Sequence, residues 1–302
     1  MYLKSFILFI IISFCTISPQ EGEVRNYYES KILKEVLNYS KDELSGKCYY
    51  YNSDGVISEV TEFSGNKQNG LSMTFYQNGI LREKVFFQNG ILNGNYSRYS
   101  ESGYVTEKGN YKNGLIDGEV LTFYESGVIK SKHYLVAGKR EGISYKYFEN
   151  GKVEAESNFL NDTQEGITKW FYESGTLKGI YNYASGHFEG EIKEFYNTGE
   201  LEVSKMFIGG KREGVFKYYH KNGNVSKIEN YLNSWKEGAA KTYYENSVLW
   251  TELNYLHDKL NGEAKIYRDD SSLWYIENYE KGILKKSKEY DSSGKIINEQ
   301  NY

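Results

Sequence analysis

Apolar and polar positions along the chain recur with a period of 24 residues. The phase is set by eleven glycines: Gly22, Gly46, Gly70, Gly94, Gly118, Gly142, Gly166, Gly190, Gly214, Gly238 and Gly262. With each of these as position 0, position 5 is aromatic in every copy, from Tyr27 to Tyr267, and position 11 is aliphatic in every copy, from Leu33 to Leu273. Position 17 is aromatic from Tyr39 to Tyr279 except at Leu135. No insertion or deletion interrupts the series. A fixed period of this length marks a repeat architecture and takes precedence over any domain count based on length.

The pattern within a period predicts strands. Positions 1 to 6 are rich in aromatic, β-branched and Thr residues, which suit a pleated strand. Positions 7 to 9 read ENG, ESG or QNG, a hairpin signal between apolar runs. Positions 10 to 18 form the return strand, and positions 19 to 23, such as NGLID and GGKRE, lead into the next glycine. A glycine about every ten residues excludes sustained helices. Three large apolar side chains cannot fold one 24-residue hairpin, so neighbouring hairpins must stack and share a core. The expected fold is all-β, an elongated single array of stacked β-hairpin repeats, with about eleven full copies and a partial one over residues 286–302. Equal parity assigns positions 5, 11 and 17 to the core face and positions 4, 6 and 12 to the other.

Composition refines this picture. Aromatics make up 17% of the chain, with 31 Tyr and 15 Phe, so it is not a disordered polar chain. The net charge of −4 lacks the basic face that nucleic acid or an anionic membrane requires. Residues 1–20 combine Lys4, an apolar run from Phe6 to Phe14 and the small residues Cys15, Thr16 and Ser18. This is the pattern of a secretory signal peptide, shorter than a membrane span. It predicts an extracytoplasmic protein (periplasmic, surface-bound or released) whose array occupies residues 21–302. Membrane association follows only if the leader is retained or Cys15 is lipidated, and the bulk of Phe14 disfavours lipidation. Cys48 is read as a small core residue.

The unit G-x₄-[YF]-[YF]-x-x-G-x-[LIV]-x₅-[YF]-x-x-G-x₃-G, clear in the stretches that begin at Gly70 and Gly118, resembles the bacterial MORN-repeat variant family over residues 22 to about 302. The resemblance implies stacked hairpins and a binding role. Many such proteins are labelled YwqK-type antitoxins, and others are exported to the surfaces of host-associated bacteria. The leader favours the exported kind. The aromatic-rich repeats of choline- and glucan-binding wall proteins are a looser likeness, since they are richer in Trp.

No catalytic motif is present, and His133, His187, His220 and His257 fall at four different repeat positions without metal-ligand spacing. No cofactor, metal or catalytic residue is expected. Glu141, Glu165, Glu189, Glu213 and Glu237 share position 23 and form an acidic column, read as a solvated edge in preference to a Ca²⁺ ladder. Aromatics that break the period are the candidate partner-binding residues: Trp170 and Tyr218 at position 4, and Trp250 and Trp274 at position 12. Tyrosines at position 6, such as Tyr124 and Tyr172, are read as a structural ladder. The expected function is an exported, non-catalytic scaffold for a protein partner, either a toxin or a host or surface protein. The alternatives are an antitoxin or immunity protein and a glycan-binding wall module.

Overall fold

The structure, a computed structural model, describes residues 20–302. The residues read as a leader, through residue 19, and Cys15 with them, lie outside the described residues. The described chain contains 33 β-strands and no helix. It divides into two compact units, one ending at Tyr104 and the other running Val105–Tyr302, and the same repeat builds both.

The Gly118 copy shows the plan. Its first strand, Gly118–Phe123, pairs antiparallel with a second, Ile129–Val136, and the chain then folds back into a two-residue third strand, Lys139–Arg140. The second strand also pairs with the first strand of the next copy, Ser131 opposite Lys146 and Lys132 opposite Tyr145. Each repeat therefore contains two hairpins, one more than the sequence pattern suggests.

The two hairpins turn by different means. At positions 6 to 10 the Gly127 N–H donates to the Tyr124 carbonyl, and the Tyr124 N–H to the Val128 carbonyl, both at 2.9 Å. This is a three-residue loop whose last residue is left-handed. Gly127 has φ 83°, and Lys31, Ser247 and Ser271, which stand at the same position in other copies, adopt φ 64°, 69° and 71°. The second hairpin turns on two residues that are both left-handed, such as Asn161 (φ 50°) and Asp162 (φ 67°), the signature of a type I′ turn. The period glycine follows with φ between 69° and 120° in all eleven copies. A residue with a Cβ is strained there, which accounts for the invariance of position 0.

The core differs from the expected one. Position 2 is the column buried most completely: Cys48, Ser72 and Tyr96 in the first unit, and Val120, Ser144, Thr168, Ile192, Phe216, Ala240 and Ala264 in the second. Positions 5 and 11 are mostly only half-buried. The cause is a β-bulge that recurs in ten of the eleven repeats, from the Gly22 copy to the Gly262 copy. The ladder steps from Thr122 opposite Ser131 to Phe123 opposite Ile129 and skips Lys130 at position 12. Parity counted across position 12 therefore fails, because a bulge adds one residue to one strand. Val120 faces His133 and Gly118 faces Leu135, so positions 2, 15 and 17 line the core together. A run of rings, Phe188, Phe207, Phe216 and Tyr231, passes through it with centroids 4.5–5.7 Å apart. Cys48 is fully buried, as a core residue should be.

Candidate functional site

Two columns singled out in the sequence turn out to fasten one repeat to the next. The tyrosine hydroxyl at position 6 donates to the backbone carbonyl at position 5 of the following copy. Examples are Tyr124 to Tyr147 at 2.7 Å, Tyr172 to Phe195 at 2.8 Å and Tyr196 to Tyr219 at 2.7 Å. His220 and Arg268 reach the Tyr243 and Tyr290 carbonyls from the same position at 2.9 and 2.6 Å. The second column is the acidic one. Glu141, Glu165, Glu189, Glu213 and Glu237 each accept the N–H of the first turn residue in the next copy, at 2.7–3.0 Å. These carboxylates cap left-handed turns whose backbone groups would otherwise point to solvent. Among the described residues no cluster of three His, Cys, Asp or Glu could hold a metal ion.

The four candidate aromatics are placed differently from one another. Trp250 and Trp274 occupy the unpaired bulge position, between Leu249 and Thr251 and between Leu273 and Tyr275. A bulge re-aims its side chain, and both indoles are exposed, at 46% and 37%. Each packs within its own repeat: Trp250 stacks on Tyr244 at 5.5 Å, and Trp274 meets Tyr275 at 5.1 Å and the Arg268 guanidinium at 5.2 Å. Elsewhere a lysine takes this role, Lys130 over Tyr124 and Lys178 over Tyr172, both at 5.6 Å. Tyr218 is half-buried beneath the Lys227 ammonium, 4.0 Å from its ring centre. Burial, then the charge of Glu229, pushes its phenol well above the ordinary tyrosine range. Trp170 pairs with Ala155 on one side and Gly179 on the other and forms the wall of a cavity.

Glu229 organises the surroundings of Tyr218. It is buried, accepts a hydrogen bond from the Lys236 ammonium at 2.8 Å and one from the Tyr231 hydroxyl at 3.0 Å, and has the Lys227 ammonium at 3.3 Å. Burial alone would raise its carboxyl, but Lys236, Lys227 and Tyr231 outweigh burial and hold it below the usual carboxylate range. One carboxylate here answers two ammonium groups and a phenol, so the group is built as an internal tie.

The repeat geometry agrees with a comparison of sequence families. The profile described as MORN repeat variant matches residues 20–41, 68–89, 116–136, 140–161, 164–185, 212–233, 236–257 and 285–302, more than half of the chain. The chain belongs to the MORN repeat variant family. No curated protein matches it. Solved structures similar to it include TcdB2-TccC3, at 12% identity over 91% of this chain and 18% of that one, with a TM-score of 0.19. The TcdB2-TccC3-Cdc42 structure gives 13%, 91%, 17% and 0.18. The Photorhabdus luminescens Tc holotoxin pore gives 12%, 92%, 18% and 0.19. This chain spans less than a fifth of each of those chains.

The MORN repeats of the second unit carry a further surface that the sequence reading passed over. Position 18, the last residue of the second strand, is apolar in six successive copies: Val136, Leu160, Ala184, Ile208, Leu232 and Leu256. The five larger ones are 42–58% exposed. Across the type I′ turn they face Lys139, Thr163, His187, Lys211, Trp235 and Lys259 respectively. Trp235 is 51% exposed and meets the edge of His257 at 5.8 Å. Trp235 breaks its column, otherwise mostly Lys, Thr or aliphatic, as clearly as Trp250 breaks its own. That contrast at position 21 was the available signal.

Proposed function

We propose that this MORN repeat scaffold is an exported, non-catalytic protein that binds a protein partner along the outer hairpins of its second unit. The observation that carries the reading is the apolar row at position 18, repeated once per copy and left exposed. Scattered exposed apolar residues are ordinary, but an apolar residue at the same strand end in six successive copies, exposed in five of them, supports an interaction surface. The lysines across the turn, Lys139, Lys211 and Lys259, favour a partner surface that is apolar with an acidic fringe. Leu232 beside Trp235 supplies the strongest anchor, since aromatic residues lead interface hot spots. The export half of the proposal rests on the leader-like residues 1–20.

The test pairs Leu160→Glu with Leu232→Glu in the full chain. Both side chains are exposed, so melting should be unchanged while capture of a cross-linked partner is lost. Capture at the wild-type level in the folded double variant would refute the row as an interface. Cell fractionation tests export separately: a cytosolic pool with an intact N-terminus is the contrary result.

A further inference from the structure

The apolar row at position 18 is bordered by charges of both signs. Position 21 supplies Lys139, Lys211 and Lys259, each directly across the turn from a row residue and exposed. Among the described residues these three make no ion pair, whereas Lys132, Lys146, Lys193, Lys205, Lys241 and Lys265 on the longer strands all do. Position 23 supplies Glu141, Glu165, Glu189, Glu213 and Glu237. Each places one carboxylate oxygen, Oε2, on the turn N–H immediately after the next row residue, the first at Asn161 behind Leu160 and the last at His257 behind Leu256. Among the described residues no hydrogen bond engages the other oxygen of these five.

The strip therefore combines aliphatic side chains, three unpaired ammonium groups and five carboxylates with an oxygen free. It has the apolar body and the acidic fringe that its own lysines favour in a partner, so it is complementary to itself. A uniformly acidic partner would be repelled by the five glutamates, whereas a second copy offers both signs. The size fits as well. Successive copies are joined through two strands each, which at ~4.8 Å per strand puts the ends of the row about 50 Å apart. A strip about 10 Å wide along it covers on the order of 500 Å² per copy and about 1,000 Å² in all, where specific interfaces begin. Interfaces between identical subunits are also the more apolar kind.

We propose that two copies of this chain associate through their position-18 rows, in an isologous pair that sets the lysines of one row against the glutamates of the other. Such pairing depends on the row being the interface described above and makes its occupant a second copy.

Sedimentation velocity of the full chain, alone in buffer, from about 1 to 100 μM tests this. Dimer should accumulate over that range, and raising salt from about 0.05 to 0.5 M should weaken it about tenfold, because exposed ion pairs are screened. Lys139→Glu, Lys211→Glu and Lys259→Glu combined should leave a folded monomer. Association through residues 1–20 would not respond to that change. Glu165→Gln, Glu189→Gln and Glu213→Gln combined keep the turn acceptor, a role that Asn69 and Asn261 fill with neutral side chains. This second variant should keep its strand circular dichroism while the dimer weakens about tenfold, which a role confined to the turns would not produce. A wild-type chain that stays monomeric to about 100 μM overturns self-association and leaves the row to a different protein, so partner capture stands or falls separately. A dimer unchanged by the lysine reversals forms on another surface and overturns it as well.

Discussion

At the scale of single residues, backbone handedness decides more than side-chain chemistry. Ser247 and Ser271 take left-handed φ where eight other copies have glycine. A residue with a Cβ loses about 1–2 kcal/mol in that region, partly offset by the greater freedom of glycine when unfolded. Ser247→Gly and Ser271→Gly should each stabilise the chain by about 0.5–1 kcal/mol. Urea unfolding checks this, and a loss of stability would contradict the turn geometry. Glu229 makes the opposite kind of prediction. Its folded carboxyl lies below the unfolded value, so its stabilisation is present above about pH 4.5 and is lost as acidification protonates it. Glu229→Gln should cost about 2–3 kcal/mol near neutrality, at the low end for a broken buried pair because Lys227 and Lys236 reach water. The difference from wild type should shrink below pH 4. A gap independent of pH would show that packing, not charge, is the contribution.

At the scale of elements, the repeat is held to its neighbour by more than the strand ladder. The hydroxyl at position 6 ties the end of one hairpin to the end of the next, and the acceptor at position 23 ties turn to turn. Phe148 sits at position 6 without a hydroxyl. Tyr172→Phe should therefore cost about 1 kcal/mol, and Phe148→Tyr should gain a similar amount by reaching the Phe171 carbonyl. Thermal unfolding of the two variants, which should shift in opposite directions, checks the pair. The acidic column illustrates how a site-like pattern dissolves on folding. Five carboxylates in a row suggest a cation ladder only until their backbone partners are seen. Asn69 and Asn261 serve at the same position, bonding Asn89 and Lys281 N–H at 3.4 and 3.1 Å, which shows that an acceptor is needed there and a charge is not.

At the scale of the whole molecule, stability follows from neighbour contacts. In a repeat scaffold each copy touches the copies beside it, so local stability varies along the chain. The ring chain from Phe188 to Tyr231 joins successive copies of the second unit through four aromatic side chains in contact. The last strand, Ile296–Asn301, is exposed along its whole length. Amide hydrogen exchange should be fastest over residues 296–301 and slowest around Phe207 and Phe216. Uniform protection across the second unit would mean that it unfolds as one block. The position-18 row belongs to this scale too, because only the repetition of one exposed residue makes a surface out of it.

The period, the all-β class, the hairpins and the invariant glycine were legible in the chain because each depends on local backbone geometry. A left-handed φ demands glycine wherever it recurs, and aromatic or β-branched runs demand strands. The burial of position 2 was not legible. Its identity changes from Cys48 to Tyr96 to Ala264, since a core column needs matched volume and not one residue type. The invariant columns at positions 5 and 11 drew attention instead, and the bulge at position 12 hid the true facing of the second strand. The candidate aromatics were recognisable as exceptions to the period. Which of them face solvent and which are enclosed was settled only by packing: Trp250 and Trp274 are thrown outward at bulges, Tyr218 is enclosed by Lys227 and Glu229, and Trp170 walls a cavity. That cavity exists because Ser144, Ala155 and Ser157 are neighbours across strands, a coincidence of register between residues up to 13 positions apart that no local pattern records.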